Sequence, residues 1–207
     1  MTYIETIRLE NGRFHLLKLH QQRLTATVRE LYACDIDVPD IRTALDSIGS
    51  IPKNGTYKCR ILYDTTICEI EFQAYQTRTV KSLKVIESDS SLDYHLKSSD
   101  RSALSALASR KGSCDEIIIV RNGLITDTSY TNLVFHGKNG LYTPRQPLLK
   151  GVMRHYLLNK RTLQEIDLSP EDIAPANRLG ITKVSLINAM LPLESAPVIP
   201  ISEIYFT

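Results

Sequence analysis

The sequence predicts a two-part protein of the α+β or α/β class. A small α+β domain is expected over residues 1–80, and a barrel-like β domain with helices over residues 81–207. Three observations predict this division. The first part alternates hairpin, helix, helix and hairpin. The second is dominated by short strands punctuated by turn dipeptides. Between them, Arg78–Leu83 reads as a crossing segment.

In order, Tyr3–Leu9 has β-formers in rough alternation. Asn11-Gly12 is the dipeptide of a tight type I′ turn, and Arg13–Leu16 returns as the second arm. From Leu17 to Cys34 the residues Leu17, Leu24, Val28, Leu31 and Tyr32 repeat at helical period on one face. A second helix is expected at Pro39–Ile48, with Pro39 at the first helical position. Strands follow at Tyr57–Asp64, Ile67–Tyr75 and Leu83–Glu87. A helix is then predicted directly after Lys97, with Ser98, Ser99 and Asp100 as candidate caps, Leu104, Leu107 and Ala108 as its buried stripe, and Gly112 as its stop. The run Ile117-Ile118-Ile119-Val120 within Glu116–Arg121 reads as a strand buried on both faces, turned by Asn122-Gly123 into Leu124–Thr126. Strands at Asn132–His136 and Leu141–Thr143, a helix at Gly151–Asn159, a capping box at Ser169-x-x-Asp172 and a strand at Val184–Ile187 complete the second part. Few long crossovers are expected there.

Composition excludes several function classes. Glu5, Arg8 and Glu10 interrupt the opening residues, so neither a signal peptide nor a membrane span is expected there, and the compartment expected is the cytoplasm. Net charge is +2, with lysines and arginines scattered singly, which gives no basic stripe for nucleic acid. The four cysteines, Cys34, Cys59, Cys68 and Cys114, form no C-x-x-C pair and read as reduced, buried thiols; the five histidines show no metal spacing.

The candidate chemistry lies between Asp93 and Arg154, and no residue there is specific by itself. A lysine in a polar stretch is usually solvated, and an aspartate after a strand is usually a turn former. In order, however, Arg23-Leu24 in HQQRL, Lys97 in KSSDR, Asp127 in ITDTSYTNLVF, Gly151–Arg154 in LLKGVMR and Asn188-Ala189 in LINAM resemble the class IV aminotransferase family of fold-type IV pyridoxal-phosphate enzymes. That family includes branched-chain and D-amino-acid aminotransferases and aminodeoxychorismate lyase. The resemblance runs from Thr2 to about Pro200.

The resemblance implies pyridoxal 5'-phosphate as cofactor and assigns the roles that it needs. Lys97 would form the Schiff base and move the proton at the substrate carbon. Asp127 would keep the ring nitrogen protonated; the family usually has Glu there, one methylene longer. Arg23, with backbone N–H groups of Gly151, Val152, Met153, Asn188 and Ala189, would hold the phosphate, and Arg101 would lie near the ring hydroxyl. A homodimer binding a small amino-acid-like substrate, with no nucleic acid or membrane partner, is implied as well.

Where the family usually has a glycine-rich, arginine-containing loop, this chain reads RILYDTTICEI. Arg8, Arg60 and Arg145 are therefore candidates for a substrate carboxylate, and Thr6, Tyr94 and Tyr142 for the lining; His20 and His95 lie near cofactor motifs with structural roles expected. The NAMLPL and KSSDR contexts look nearest to the lyase, which converts 4-amino-4-deoxychorismate to p-aminobenzoate and pyruvate. A branched-chain or D-amino-acid aminotransferase and a non-catalytic family member remain open.

Overall fold

The computed structural model describes residues 1–32 and 36–206. The chain forms two compact units, one of Met1–Thr77 with Leu96–Asp100, the other of Arg78–His95 with Arg101–Thr207. The expected helix end at Cys34, and that thiol itself, lie outside the described residues.

In the first unit, β1 (Tyr3–Glu10), β2 (Arg13–Phe14), β3 (Thr56–Tyr63) and β4 (Ile67–Ala74) form one antiparallel sheet in the order β2-β1-β3-β4. Asn11 and Gly12 both have positive φ, 49° and 77°, as the type I′ turn between β1 and β2 requires. Two helices, α1 (Leu17–Leu31) and α2 (Ile41–Asp46), complete the unit. Strand alternation puts Tyr3, Glu5, Ile7 and Leu9 on the fully covered face of β1, where Tyr3 and Ile7 join Leu24, Val28, Ile41, Leu45, Ile61 and Tyr63 in one core. Burying a side chain such as Leu24 completely contributes about 1.5–3 kcal/mol. Pro39 is not the first helical residue of α2. Asp40 caps that helix, its carboxylate accepting from the Thr43 N–H at 2.7 Å, so the proline stands before the cap.

A second difference concerns Lys97. The segment Leu96–Asp100 pairs with β1: Ile4 N–H donates to the Lys97 carbonyl at 2.9 Å, Tyr3 bridges Ser98, and Ser99 N–H donates to the Thr2 carbonyl at 3.0 Å. Ser98, Ser99 and Asp100 are thus not helix caps. The sheet edge has taken this backbone, and the next helix starts only at Ser102, with Arg101 at the N-cap and no side-chain capping bond.

The second unit holds β5 (Leu83–Glu87), α3 (Ser102–Ala108), β6 (Glu116–Arg121), β7 (Leu124–Ile125), β8 (Asn132–Gly137), β9 (Gly140–Pro144), α4 (Val152–Asn159), β10 (Gln164–Ile166), β11 (Lys183–Ile187), β12 (Val198–Pro200) and β13 (Ile204–Tyr205). They make two sheets, ordered β13-β5-β6-β7 and β10-β9-β8-β11-β12. Both sheets supply one core, with Leu83, Val85, Ile118 and Val120 from the first and Leu133, Phe135, Val184 and Leu186 from the second, giving a half-barrel rather than a closed ring. β6 is buried on both faces as its sequence predicts, because Ile117 and Ile119 point the other way, to Ile86, Leu104 and Leu148. Parallel pairing of β5 with β6 and of β9 with β10 makes two crossovers through α3 and α4, so this half has more α/β character than the expected scarcity of crossovers. Asn122 and Gly123 again have positive φ. Ser169 and Asp172 do form a capping box, on a single 3-10 turn at Pro170–Ile173. Cys59 and Cys114 are buried and Cys68 is exposed, contrary to expectation, since it sits on the outer strand β4. Among the described residues no helix is long and apolar enough to cross a membrane.

Candidate active site

In the second unit the chain leaves β7 of one sheet and enters β8 of the other through residues 127–131. A backbone changing sheets loses its ladder partners, and side chains must replace them. They do so here. Thr128 Oγ1 accepts the N–H groups of Tyr130 and Thr131. Arg101 Nη2 donates to the Ser129 carbonyl at 2.6 Å, and Asn188 Nδ2 to the Tyr130 carbonyl at 3.3 Å. Arg101, Asp127 and Asn188, far apart in sequence, are thereby brought together on one turn.

Asp127 opens that turn and is 4% exposed. Its Oδ1 accepts from Asn132 Nδ2 at 2.7 Å and its Oδ2 from the Leu149 N–H at 2.9 Å. Burial pushes its pKa up, and the Leu149 N–H, the Asn132 amide and the charge of Arg154 pull it only part of the way back, leaving it at about 6. The result is a fixed, desolvated carboxylate with neutral partners on both oxygens, suited to a proton-bearing ring nitrogen.

Asn132 does more than donate to Asp127. The same Nδ2 reaches the Leu149 carbonyl at 2.8 Å, tying the acid to the loop that leads into α4. At Gly151, the N-cap of α4, an added Cβ would stand 2.0 Å from Asn132 Oδ1. The glycine therefore reflects close approach and no special φ, which is −66°. Beyond it the first-turn N–H groups of Val152, Met153 and Arg154 open an eight-residue helix, an arrangement that favours an anion. At Asn188 the expectation changes. Its own N–H donates to the Leu191 carbonyl, and its side chain accepts from Met190 and Leu191, so that backbone donor is spent on the turn.

In the first unit Arg23 reaches across from α1 to β1. Its Nε and Nη2 donate to the two oxygens of Glu5 at 2.7 and 2.6 Å, and His20 Nδ1 meets Glu5 Oε2 at 2.5 Å. Burial alone would raise the Glu5 pKa, but the Arg23 guanidinium and then the His20 bond hold it at about 2. Burial lowers the pKa of His20, which Glu5 raises in part, and Lys97 is among the charges pressing it down. Arg23 and Lys97 thus share one electrostatic neighbourhood with a buried Glu–His pair.

Of the substrate candidates, Thr6 and Arg60 stand opposite each other and Arg8 lies two residues on, all on the sheet face that alternation turns away from the α1 core. Arg8 pairs with Glu10 and Arg60 with Glu71. Arg145 forms an exposed pair with Asp167. Tyr142 belongs to the half-barrel core, Tyr94 packs against the cluster that contains Ile86, Leu104 and Ile117, and His95 pairs with Asp93 near the surface. Among the described residues no group of three or more His, Cys, Asp or Glu could hold a metal ion.

Sequence reasoning placed His20 near a cofactor motif with a structural role and missed Glu5 and Asn132 as the partners of Arg23 and Asp127. Glu5 left a signal, a carboxylate at an inward position of an alternating strand.

The model of the family described as amino-transferase class IV matches residues 2–204. The chain belongs to the class IV aminotransferase family. An uncharacterised protein of Haemophilus influenzae is 34% identical over 186 residues, 90% of this chain and 96% of its own length. A structure from Haemophilus somnus 129PT, named as a candidate 4-amino-4-deoxychorismate lyase, superposes with a TM-score of 0.84 at 32% identity, covering 93% of this chain and 97% of that one. A hypothetical aminotransferase from Mycobacterium tuberculosis, solved in its pyridoxal-phosphate-bound form, shares the fold at a TM-score of 0.71 and 18% identity, over 96% of this chain and 80% of that one. Class IV aminotransferases are pyridoxal-phosphate enzymes of fold type IV, and the half-barrel with its α+β unit is that fold.

Proposed function

We propose that this class IV chain is a pyridoxal-phosphate lyase converting 4-amino-4-deoxychorismate to p-aminobenzoate and pyruvate. Asp127 carries the reading. A buried carboxylate left at about 6 by neutral donors gains most from a cationic N–H partner, and it is tied through Asn132 to the anion-favouring start of α4. The residues fit the group. When bound, the cofactor supplies an aldehyde that captures an amine and a ring that accepts an electron pair from the neighbouring carbon.

The chain's residues divide the remaining work. Lys97 would hold the cofactor, and its free amine would take the proton from the substrate's ring carbon and return one to the leaving enolpyruvyl carbon. Asp127 keeps the proton on the ring nitrogen. Arg23, the first turn of α4 and the Ala189 N–H bind the phosphate, and Arg101 holds the turn that carries Asp127 and lies near the ring hydroxyl. Arg8 and Arg60 take the substrate carboxylates.

Support for the lyase over an aminotransferase is the Haemophilus somnus relative, at 32% identity nearly end to end. The aminotransferase reading rests on the family itself. Incubation with 4-amino-4-deoxychorismate should give p-aminobenzoate and pyruvate in equal amounts with no keto acid added. Strict dependence on an α-keto acid would establish the aminotransferase instead. Purified protein should be yellow, and Lys97→Ala should lose the colour on dialysis; colourless protein that no cofactor restores would leave only a non-catalytic role. A homodimer is proposed as well, and sedimentation at the mass of one chain would overturn it.

A further inference from the structure

We infer that Glu5 and His20 are positioning residues that fix the guanidinium plane of Arg23 for the cofactor phosphate. The inference rests on the phosphate role proposed for Arg23.

An arginine on a helix surface has many rotamers, and ordering it for a directional bond is entropically costly. Here the ordering is built in. Glu5 belongs to β1, paired with β3 along its whole length, and both of its oxygens are met by one edge of the guanidinium. His20 stands three residues before Arg23 on the same face of α1 and bonds the oxygen that also receives Nη2. Carboxylate and imidazole are both completely buried.

Two features argue against a purely structural role. His20 Nε2 is buried with no hydrogen-bond partner among the described residues, a cost that an apolar side chain would avoid. Moreover, a carboxylate against Arg23 cancels much of the charge that would draw an anion. If attraction were the only task of Arg23, Glu5 would oppose it; if direction matters, Glu5 supplies it.

The two roles predict opposite signs. Apo-protein would be titrated with pyridoxal phosphate and with pyridoxal, which lacks the phosphate, by absorbance, with thermal melts as the folding control. Glu5→Gln should weaken pyridoxal phosphate at least tenfold and leave pyridoxal within twofold. His20→Ala should weaken it about threefold, and His20→Gln, which retains a donor toward Glu5, should restore it. Tighter or unchanged phosphate binding in Glu5→Gln, while Arg23→Ala weakens it, would overturn the positioning role and leave the role of Arg23 standing. Equal losses for both ligands would mean a structural defect only and would also overturn it. If Arg23→Ala does not change the ratio of the two affinities, the phosphate reading fails and the inference with it. Should Glu5→Gln not fold, the two His20 variants decide by the same ratio.

Discussion

Glu5 and Asp127 are carboxylates of similar burial, one in each unit, with opposite acidities. Glu5 is held at about 2 and Asp127 at about 6, against ordinary values of 4.5 and 3.8. Desolvation raises both. Glu5 has a guanidinium on both oxygens, whereas Asp127 has an amide and a backbone N–H, with Arg154 acting on it by charge without bonding it. A buried acid beside its permanent cation is finished, while one given only neutral donors still has room for a cation. The second kind is where a cationic ligand group would be expected.

The largest effect should come from breaking the finished site. Glu5→Ala leaves Arg23 and His20 buried without their anion and should cost about 3–5 kcal/mol, lowering the melting temperature by about 10 °C for a chain of this size. Replacing Glu5, His20 and Arg23 together by apolar residues of similar volume should recover most of that stability while phosphate affinity stays lost. A single variant as stable as wild type would show that the cluster contributes no structure, and the contrast with Asp127 would fail.

The next effect is a matter of sign. The depressed pKa of Glu5 gives stability that is complete above about 4.5 and lost as pH falls toward 2. Asp127 is raised, so the folded apo-protein holds its proton more tightly than the unfolded chain. Stability should therefore fall as pH rises from 3.8 to about 6, by about 3 kcal/mol for a shift of that size, and stay low above it. Denaturant midpoints of apo-protein should accordingly peak near pH 4–5. Asp127→Asn should flatten the limb above the peak and leave the acid limb, and saturating cofactor should flatten the upper limb in the wild type.

The hairpin turns of both units and a central strand of the half-barrel were legible in the sequence because their signals are local. Asn11-Gly12 and Asn122-Gly123 specify their turns whatever surrounds them, and the Ile117–Val120 run reports burial on both faces of a strand. Lys97 was misplaced next to a helix for the opposite reason: Ser98 and Ser99 look like caps, but their backbone pairs with residues more than ninety positions earlier, at the start of the chain. Arg23 could be singled out by its motif, and its partner could not, because Glu5 meets it only once α1 lies on the sheet. Asn132 read simply as the start of a strand. Its bonds to Asp127 and Leu149 exist only where β7, β8 and the loop before α4 converge.

That convergence gives the third prediction. Gly151→Ala places a methyl against Asn132 Oδ1, and Asn132 yields poorly because both Asp127 and Leu149 O hold its amide. The expected cost is about 1–3 kcal/mol. Asn132→Ala removes a donor that lowers the Asp127 pKa, so the upper pH limb should move to higher pH. The double variant should be more stable than the sum of the two losses predicts, since the second change removes the clash made by the first. Simple additivity would separate Gly151 from the acid.

The smallest effect isolates burial from charge pairing. Arg145 and Asp167 also form an arginine–carboxylate pair, by one bond of 3.3 Å where Arg23 and Glu5 make two of 2.7 and 2.6 Å, and their side chains are 54% and 51% exposed. Water and salt screen such a pair and its side chains remain costly to order, so a double-mutant cycle on the two should give under about 0.5 kcal/mol, vanishing in high salt. The same cycle on Glu5 and Arg23 should give several times as much and resist salt. A coupling at Arg145–Asp167 as large as at Glu5–Arg23 would mean that the nearby cation alone sets the acidity of Glu5, and the environment that separates Glu5 from Asp127 would lose its explanatory force.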